Sequence, residues 1–196
     1  VSADSEVIGR SAGEPAAFVL IYDRHAPTVH RYAARRVGVH VADDVMSETF
    51  LVAFEGRAKY DLGVPDARPW LLGIATRVMR KHTRLEARAW KGMTAEIAAS
   101  ISPDLIEQAS ARVDAERATR RLETALRGLS RADRDTLLLY AWGDLDYAGI
   151  AQSLGVPIGT VRSRLNRARR RLREATGRQG EQEREHGRTD PAAQHA

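Results

Sequence analysis

Residues 145–172 read LDYAGIAQSLGVPIGTVRSRLNRARRRL. A short helical pattern runs into Leu154-Gly155-Val156-Pro157, and a second, strongly basic helical pattern follows. That order is a helix-turn-helix, whose second helix lies in a DNA major groove. Asp146 is placed to cap the first helix, and Val161, Leu165, Ala168 and Leu172, spaced 4, 3 and 4, give the second one apolar stripe. With that stripe against a core, Arg162, Ser163, Asn166 and Arg167 share another side and reach base edges. Arginine pairs in bidentate fashion with guanine and asparagine with adenine. Thr160, beside the unpaired N–H groups of the helix start, suits phosphate, as does Arg170 farther along.

The rest of the chain must say what this DNA binding serves. At 196 residues it is one domain or two small ones, and with 6% aromatics its core has to come from Leu, Val, Ile and Ala between helices. The net charge of +5 and pI near 9.9 are weak evidence for nucleic acid, but their distribution is informative. Arg162, Arg164, Arg167, Arg169, Arg170, Arg171 and Arg173 fall in one segment, while Asp43, Asp44 and Glu48 form a separate acidic cluster. There is no cysteine, which excludes disulfides, thiolate zinc sites and cysteine redox sensing within the chain. The six histidines never take a metal-ligand spacing, so no metal or cofactor is expected. No apolar run approaches a membrane span and no signal-peptide order is present, so the expectation is a cytoplasmic protein without membrane insertion. The start at Val1 reads as a processed or trimmed end.

Ser11-Ala12-Gly13-Glu14 has capping-box spacing, ahead of Ala17, Phe18, Ile21 and Tyr22. Pro27 fits the first turn of a next helix, which carries Val29, Tyr32, Ala33 and Arg36 up to Gly38. A third helix runs from Val41 through Val45, Thr49, Val52 and Ala53. Gly56 to Pro69 reads as a long loop, and Trp70, Leu71, Ile74, Ala75 and Val78 open a helix that ends in a basic run to Arg88. These elements make an N-terminal helical domain over 10–88. Residues 89–113, a polar, alanine-rich segment with a short apolar patch at Ile97, Ile101, Leu105 and Ile106, read as a linker. A second helical domain follows over 114–175, with Leu122, Leu126 and Leu129 on one helix and Ser130 capping the next. The 176–196 tail has nothing to bury and is expected to be disordered. The fold class is all-α: two small helical domains joined by a linker, the second a helix-turn-helix domain.

Four segments, in this order, resemble the sigma-70 family of RNA polymerase sigma factors, in the small extracytoplasmic-function (ECF) group. FVLIYDRHAPTVHRYAARRVG at 18–38 and ADDVMSETFLVAF at 42–54 resemble the first two conserved regions. PWLLGIATRVMRKHTR at 69–84 resembles the region that melts the promoter and reads the −10 element, and 128–174 resembles domain 4, which reads −35. The resemblance implies a DNA-binding initiation subunit that directs core RNA polymerase to promoter DNA and has no active site of its own. It implies that Asp43, Asp44, Glu48, Thr49 and Phe50 dock on the clamp helices of the largest core subunit. Asp44 and Glu48, four apart, do share a helix face suited to a basic partner, although acids in a first helical turn are favoured in any case.

Strand opening needs pockets for unstacked bases and cations for the backbone. Lys59, Tyr60, Asp61, Trp70, Arg77, Arg80, Lys81 and Arg84 offer those ingredients; by resemblance, the loop before Trp70 captures a flipped −10 base. Trp70, at the head of an apolar stripe, also reads as core, and Tyr60 reads as the better stacking residue. A cognate anti-sigma protein is a further implied partner, and the free factor is expected to be a monomer. Two positions depart from the family pattern. Gly149 stands where a Glu is frequent, which removes half of a capping box, and Thr76-Arg77 stands where Arg-Asn is common. The alternatives are a stand-alone helix-turn-helix regulator, which leaves the acidic helix without a purpose, and a nucleic-acid enzyme, which lacks a matching carboxylate or histidine cluster.

Overall fold

The computed structural model describes residues 2–82 and 112–177, and all eight α-helices among them belong to one all-helical architecture. The first half comprises α1 (Asp4–Arg10), α2 (Val19–Val37), α3 (Val39–Gly56) and α4 (Arg68–Met79). The second comprises α5 (Arg112–Gly128), α6 (Arg131–Trp142), α7 (Tyr147–Leu154) and α8 (Ile158–Gly177). Short 3₁₀ turns at Pro15–Phe18, Arg57–Lys59 and Arg80–His82 adjoin α2, α3 and α4. The expected linker at 89–113, apart from its last residues in α5, and almost all of the 176–196 tail lie outside the described residues, as does Arg84.

Two local expectations are corrected. Ser11 does not open a helix: it closes α1, its hydroxyl donating to Ile8 O at 2.6 Å, and α1 is an element the sequence reading missed. Pro27 does not start a helix either, but sits inside an unbroken α2. Proline removes one backbone donor from the helical ladder. Here Ile21, Ala26, Val29, Tyr32, Ala33 and Val37 are buried along one face spanning the proline, and that burial outweighs the lost bond. Gly38, at φ +91°, then reverses the chain into α3, a conformation that favours glycine.

The capping expectations of the second half are met. Ser130 Oγ accepts the Asp133 N–H at 3.1 Å, and Asp146 Oδ1 accepts the Gly149 N–H at 2.7 Å. The missing carboxylate at Gly149 therefore costs the reciprocal bond but not the cap itself.

The halves lie against each other, with α4 between α2 and α3 on one side and α7 on the other. Leu71, Leu72, Gly73, Ile74, Ala75, Thr76, Val78 and Met79 are all buried, so α4 is covered almost all round. Contact with α7 is close: Ser153 Oγ lies 2.7 Å from Pro69 O, and a Cβ on Gly73 would stand 2.4 Å from Ser153 O. Behind this contact Arg36 NH2 donates to Asp135 Oδ1 at 2.8 Å, both side chains being 3% exposed. Arg36 also donates to the Tyr32 hydroxyl, which is bonded to Thr76 Oγ1, so α2, α4 and α6 share one buried polar network.

Candidate nucleic-acid interface

The turn between α7 and α8 is built by Gly155, in the left-handed region at φ +63°, with the Val156 N–H donating back to Ala151 O at 3.0 Å. Pro157 O then accepts from the N–H groups of Thr160 and Val161, starting α8. Val161, Leu165, Ala168 and Leu172 are buried, so the stripe read from the sequence faces the core. Arg162, Ser163, Asn166, Arg167 and Arg170 are exposed and Thr160 is half-buried.

Their surroundings separate these side chains. Arg167 NH2 donates to Asp133 Oδ1 at 2.9 Å, on the first turn of α6. Burial alone raises the Asp133 carboxyl, but the Arg167 and Ser130 hydrogen bonds outweigh it and hold the group below the usual carboxylate range. Arg167 thus has an intramolecular partner that the sequence reading missed, and contact with a base requires exchange of that partner. Arg171 donates to Gly128 O, Arg169 stacks 5.0 Å over the Tyr140 ring, and Arg170 pairs with Glu174 at 3.8 Å.

In the first half, Lys59, Asp61, Arg77, Arg80 and Lys81 are exposed. Arg80 lies 3.6 Å from Asp135 of the second half, and Lys81 pairs with Glu48. Tyr60 and Trp70 are stacked at 4.9 Å in a tilted arrangement, but in the reverse of the expected order of exposure: Tyr60 is buried and Trp70 half-buried. The Tyr60 hydroxyl donates to Val64 O at 2.8 Å, and burial, with Asp4, Asp66 and Asp61 nearby, pushes it up to about 12. The Tyr60 ring therefore supports the loop from within.

On α3, Asp43 and Asp44 are exposed and Asp43 lies 3.3 Å from His30 Nε2. Thr49 and Phe50 turn inward: the Thr49 hydroxyl donates to Val45 O, and Phe50 meets Tyr22 edge-on at 4.8 Å. The surface next to the acids is formed by Leu51 and Val52, 57% and 40% exposed. Helical spacing from Asp44 and Glu48 to 51, 52 and 55 was the signal that could have found them.

Asp4, His25 and Asp66 bring ligand atoms within 4.8 Å of one another, the spacing of a metal site. Asp4 is already occupied, however: Oδ1 accepts from Arg24, and Oδ2 is bonded to His25 and the Ala67 N–H. A guanidinium stands where a metal would supply charge.

Comparison with known proteins agrees with this division. Residues 21–89 match the Sigma-70 region 2 family model and residues 119–172 match the Sigma-70, region 4 model. The ECF RNA polymerase sigma factor SigL of Mycobacterium tuberculosis is 32% identical over 173 residues, covering 86% of this chain and 94% of that protein. The probable RNA polymerase sigma-C factor of Mycobacterium bovis is 33% identical over 150 residues, 72% of this chain and 73% of that protein. Among solved structures, CnrH in complex with the cytosolic domain of CnrY has a TM-score of 0.58 at 23% identity, covering 87% of this chain and 95% of that one. The sigma factor RpoE with the anti-sigma factor NepR, from Bartonella quintana, has a TM-score of 0.50 at 20% identity, over 81% and 95%.

Proposed function

The chain belongs to the sigma-70 family, as an ECF RNA polymerase sigma factor that directs core polymerase to specific promoters, and we propose that three of its faces divide that work. Sigma factors initiate transcription without catalysing it, so RNA synthesis stays with the core enzyme. The second half reads the −35 element: Arg162 and Asn166 meet base edges, Ser163 and Thr160 adjust register, and Arg170 neutralises phosphate. Arg167 joins them when it leaves Asp133. The observation that carries this reading is the division of α8, whose apolar stripe is buried while Arg162, Ser163 and Asn166 stand in solvent beyond a glycine turn.

The −10 non-template strand meets the loop before α4 together with Trp70, while Lys59, Arg77, Arg80, Lys81 and Arg84 supply charge for its backbone. Core polymerase docks on α3 through Asp43, Asp44, Glu48, Leu51 and Val52, with Thr49 and Phe50 holding that surface from beneath. Positions −35 and −10 are about 25 base pairs apart, roughly 85 Å of duplex at ~3.4 Å per pair. Two halves in contact cannot reach both, so the α4–α7 contact opens when the factor engages polymerase and promoter. A cognate anti-sigma protein holds the free factor back, as NepR is seen bound to RpoE. The free factor is a cytoplasmic monomer; no helix among the described residues is long and apolar enough to cross a membrane. A stand-alone regulator is not favoured, because the first half matches sigma-70 region 2.

Runoff transcription with purified core polymerase on a promoter library tests the reading, with and without this protein. On a promoter so selected, Arg162→Ala should lose discrimination at one −35 base pair, by about 1–3 kcal/mol. Arg170→Ala should weaken all sequences alike and lower the salt slope by about one. Equal losses for Arg162→Ala on matched and scrambled −35 elements would reject the base contact, and a library without dependent transcripts would reject the reading whole.

A further inference from the structure

One buried charge has no task in the three faces described above. Asp4, on α1, lies ahead of the segment that matches region 2, and its side chain is only 9% exposed. An isolated buried carboxylate is costly, and this one is satisfied on every side. Arg24 NH1 donates to Oδ1 at 2.9 Å, while His25 Nε2 lies 2.6 Å and the Ala67 N–H 2.9 Å from Oδ2. The backbone N–H of the same residue donates to Pro65 O at 3.0 Å. Asp4 therefore grips the loop before α4 at two backbone points, two residues apart, and anchors it to α2 through Arg24 and His25.

The loop's other hydrogen bonds among the described residues are local. The Tyr60 hydroxyl bonds Val64 O, Asp61 Oδ1 accepts the Gly63 N–H at 2.9 Å, and Asp66 Oδ1 accepts the Arg68 N–H at 2.8 Å. Its outward side consists of Asp61, Leu62, Gly63 and Pro65, with Leu62 56% exposed above Gly9 of α1. An apolar side chain held in the open on a fixed loop is suited to receive an unstacked base. The geometry points to Asp4 as a positioning residue for −10 recognition, acting through the Pro65–Ala67 backbone to fix the loop that presents Leu62 to the strand. This rests on the reading that the loop meets the −10 non-template strand. Preorganisation of this kind makes the loop's ordering cost part of folding and removes it from binding.

The test uses holoenzyme assembled from core polymerase and the full chain, and a fluorescent single strand carrying the −10 sequence of a promoter selected by runoff. Asp4→Ala should weaken binding of the strand roughly tenfold, the scale of one lost buried acceptor, and should flatten discrimination between matched and substituted bases at the captured position. Core affinity and −35 duplex binding should not change. Asp4→Asn keeps an acceptor for the Ala67 N–H and should restore most of the discrimination. Leu62→Ser checks the underlying reading separately: if it leaves strand binding intact, the loop does not meet the strand and both ideas fall. If Leu62→Ser weakens binding and Asp4→Ala does not, the proposal alone is overturned. It is equally overturned if Asp4→Ala lowers binding of every base equally, in proportion to a lower Tm, because that is the mark of a purely structural role.

Discussion

Helices α4 and α8 both belong to segments proposed above to meet DNA, yet they are built in opposite ways. In α8, among the residues whose burial is described, only the positions of the stripe are buried, and a row of arginines, Ser163 and Asn166 faces water. In α4, RPWLLGIATRVM, all but Arg68, Trp70 and Arg77 are buried, and α7 covers one side. One helix is ready for duplex DNA once it folds. The other serves as the centre of the molecule, and its polar and aromatic groups for DNA are confined to its ends and the preceding loop. The proposed duplex reader needs one exposed face on a firm base, whereas in the proposed −10 segment the groups for DNA stand at the margins of a buried helix.

The sharpest way to break this contrast is to remove the charge beneath the contact. Asp135→Ala takes from Arg36 the carboxylate that it meets at 2.8 Å in a dry site, a loss of about 3–5 kcal/mol if the halves stay together. Parting lets water reach Arg36, so the expected outcome is separation. Amide hydrogen exchange should accelerate along α4 and stay unchanged along the α8 stripe. Equal acceleration in both helices would mean that Asp135 supports the second half itself rather than the contact.

A matched pair of glycines sharpens the contrast. Gly73→Ala in α4 sets a Cβ 2.4 Å from a backbone carbonyl and should destabilise the closed form by about 1–3 kcal/mol. Gly159→Ala in α8 meets nothing within 4 Å and should be neutral or stabilising by up to about 1 kcal/mol. Thermal unfolding of the two variants checks the opposite signs.

The smallest effect expected is a dependence on pH in the second half. Asp133 is held below its ordinary value in the folded chain: burial opposes this, and Arg167 and Ser130 outweigh burial. Its stabilisation is therefore complete above the unfolded value of about 3.9 and is lost as pH falls through the lower folded value. Below about pH 4 the Tm should drop and α8 should loosen from α6, and Arg167→Ala should flatten that acid limb. An unchanged limb would mean that the ion pair contributes nothing to the seating of α8.

What was legible in the sequence had short reach. Ser130 and Asp146 announce their helices because a cap satisfies an N–H three residues away. The α8 stripe shows because a helix places residues four and three apart on one side. Pro27 and Ser11 misled for the same reason: their local preferences were read correctly but lost to the continuous buried face of α2 and the closing turn of α1. Tyr60 and Trp70 exchanged their expected exposures because a loop carries no period from which to assign a side.

The sequence by itself determined that the chain is helical in two halves, that its last part is a helix-turn-helix with a basic reading face, and that it resembles ECF sigma factors. Periodicity, caps and ordered motifs are local, and they survive any arrangement of the helices. Only the tertiary structure decided which cations are already engaged, Arg167 by Asp133 and Arg36 by Asp135, 34 and 99 residues away. It also decided that α4 lies beneath α7 and that Asp4 holds a loop 63 residues along the chain. A hydrogen bond or ion pair depends on distances of about 3 Å between groups whose separation along the chain has no period, so no pattern in the sequence records it.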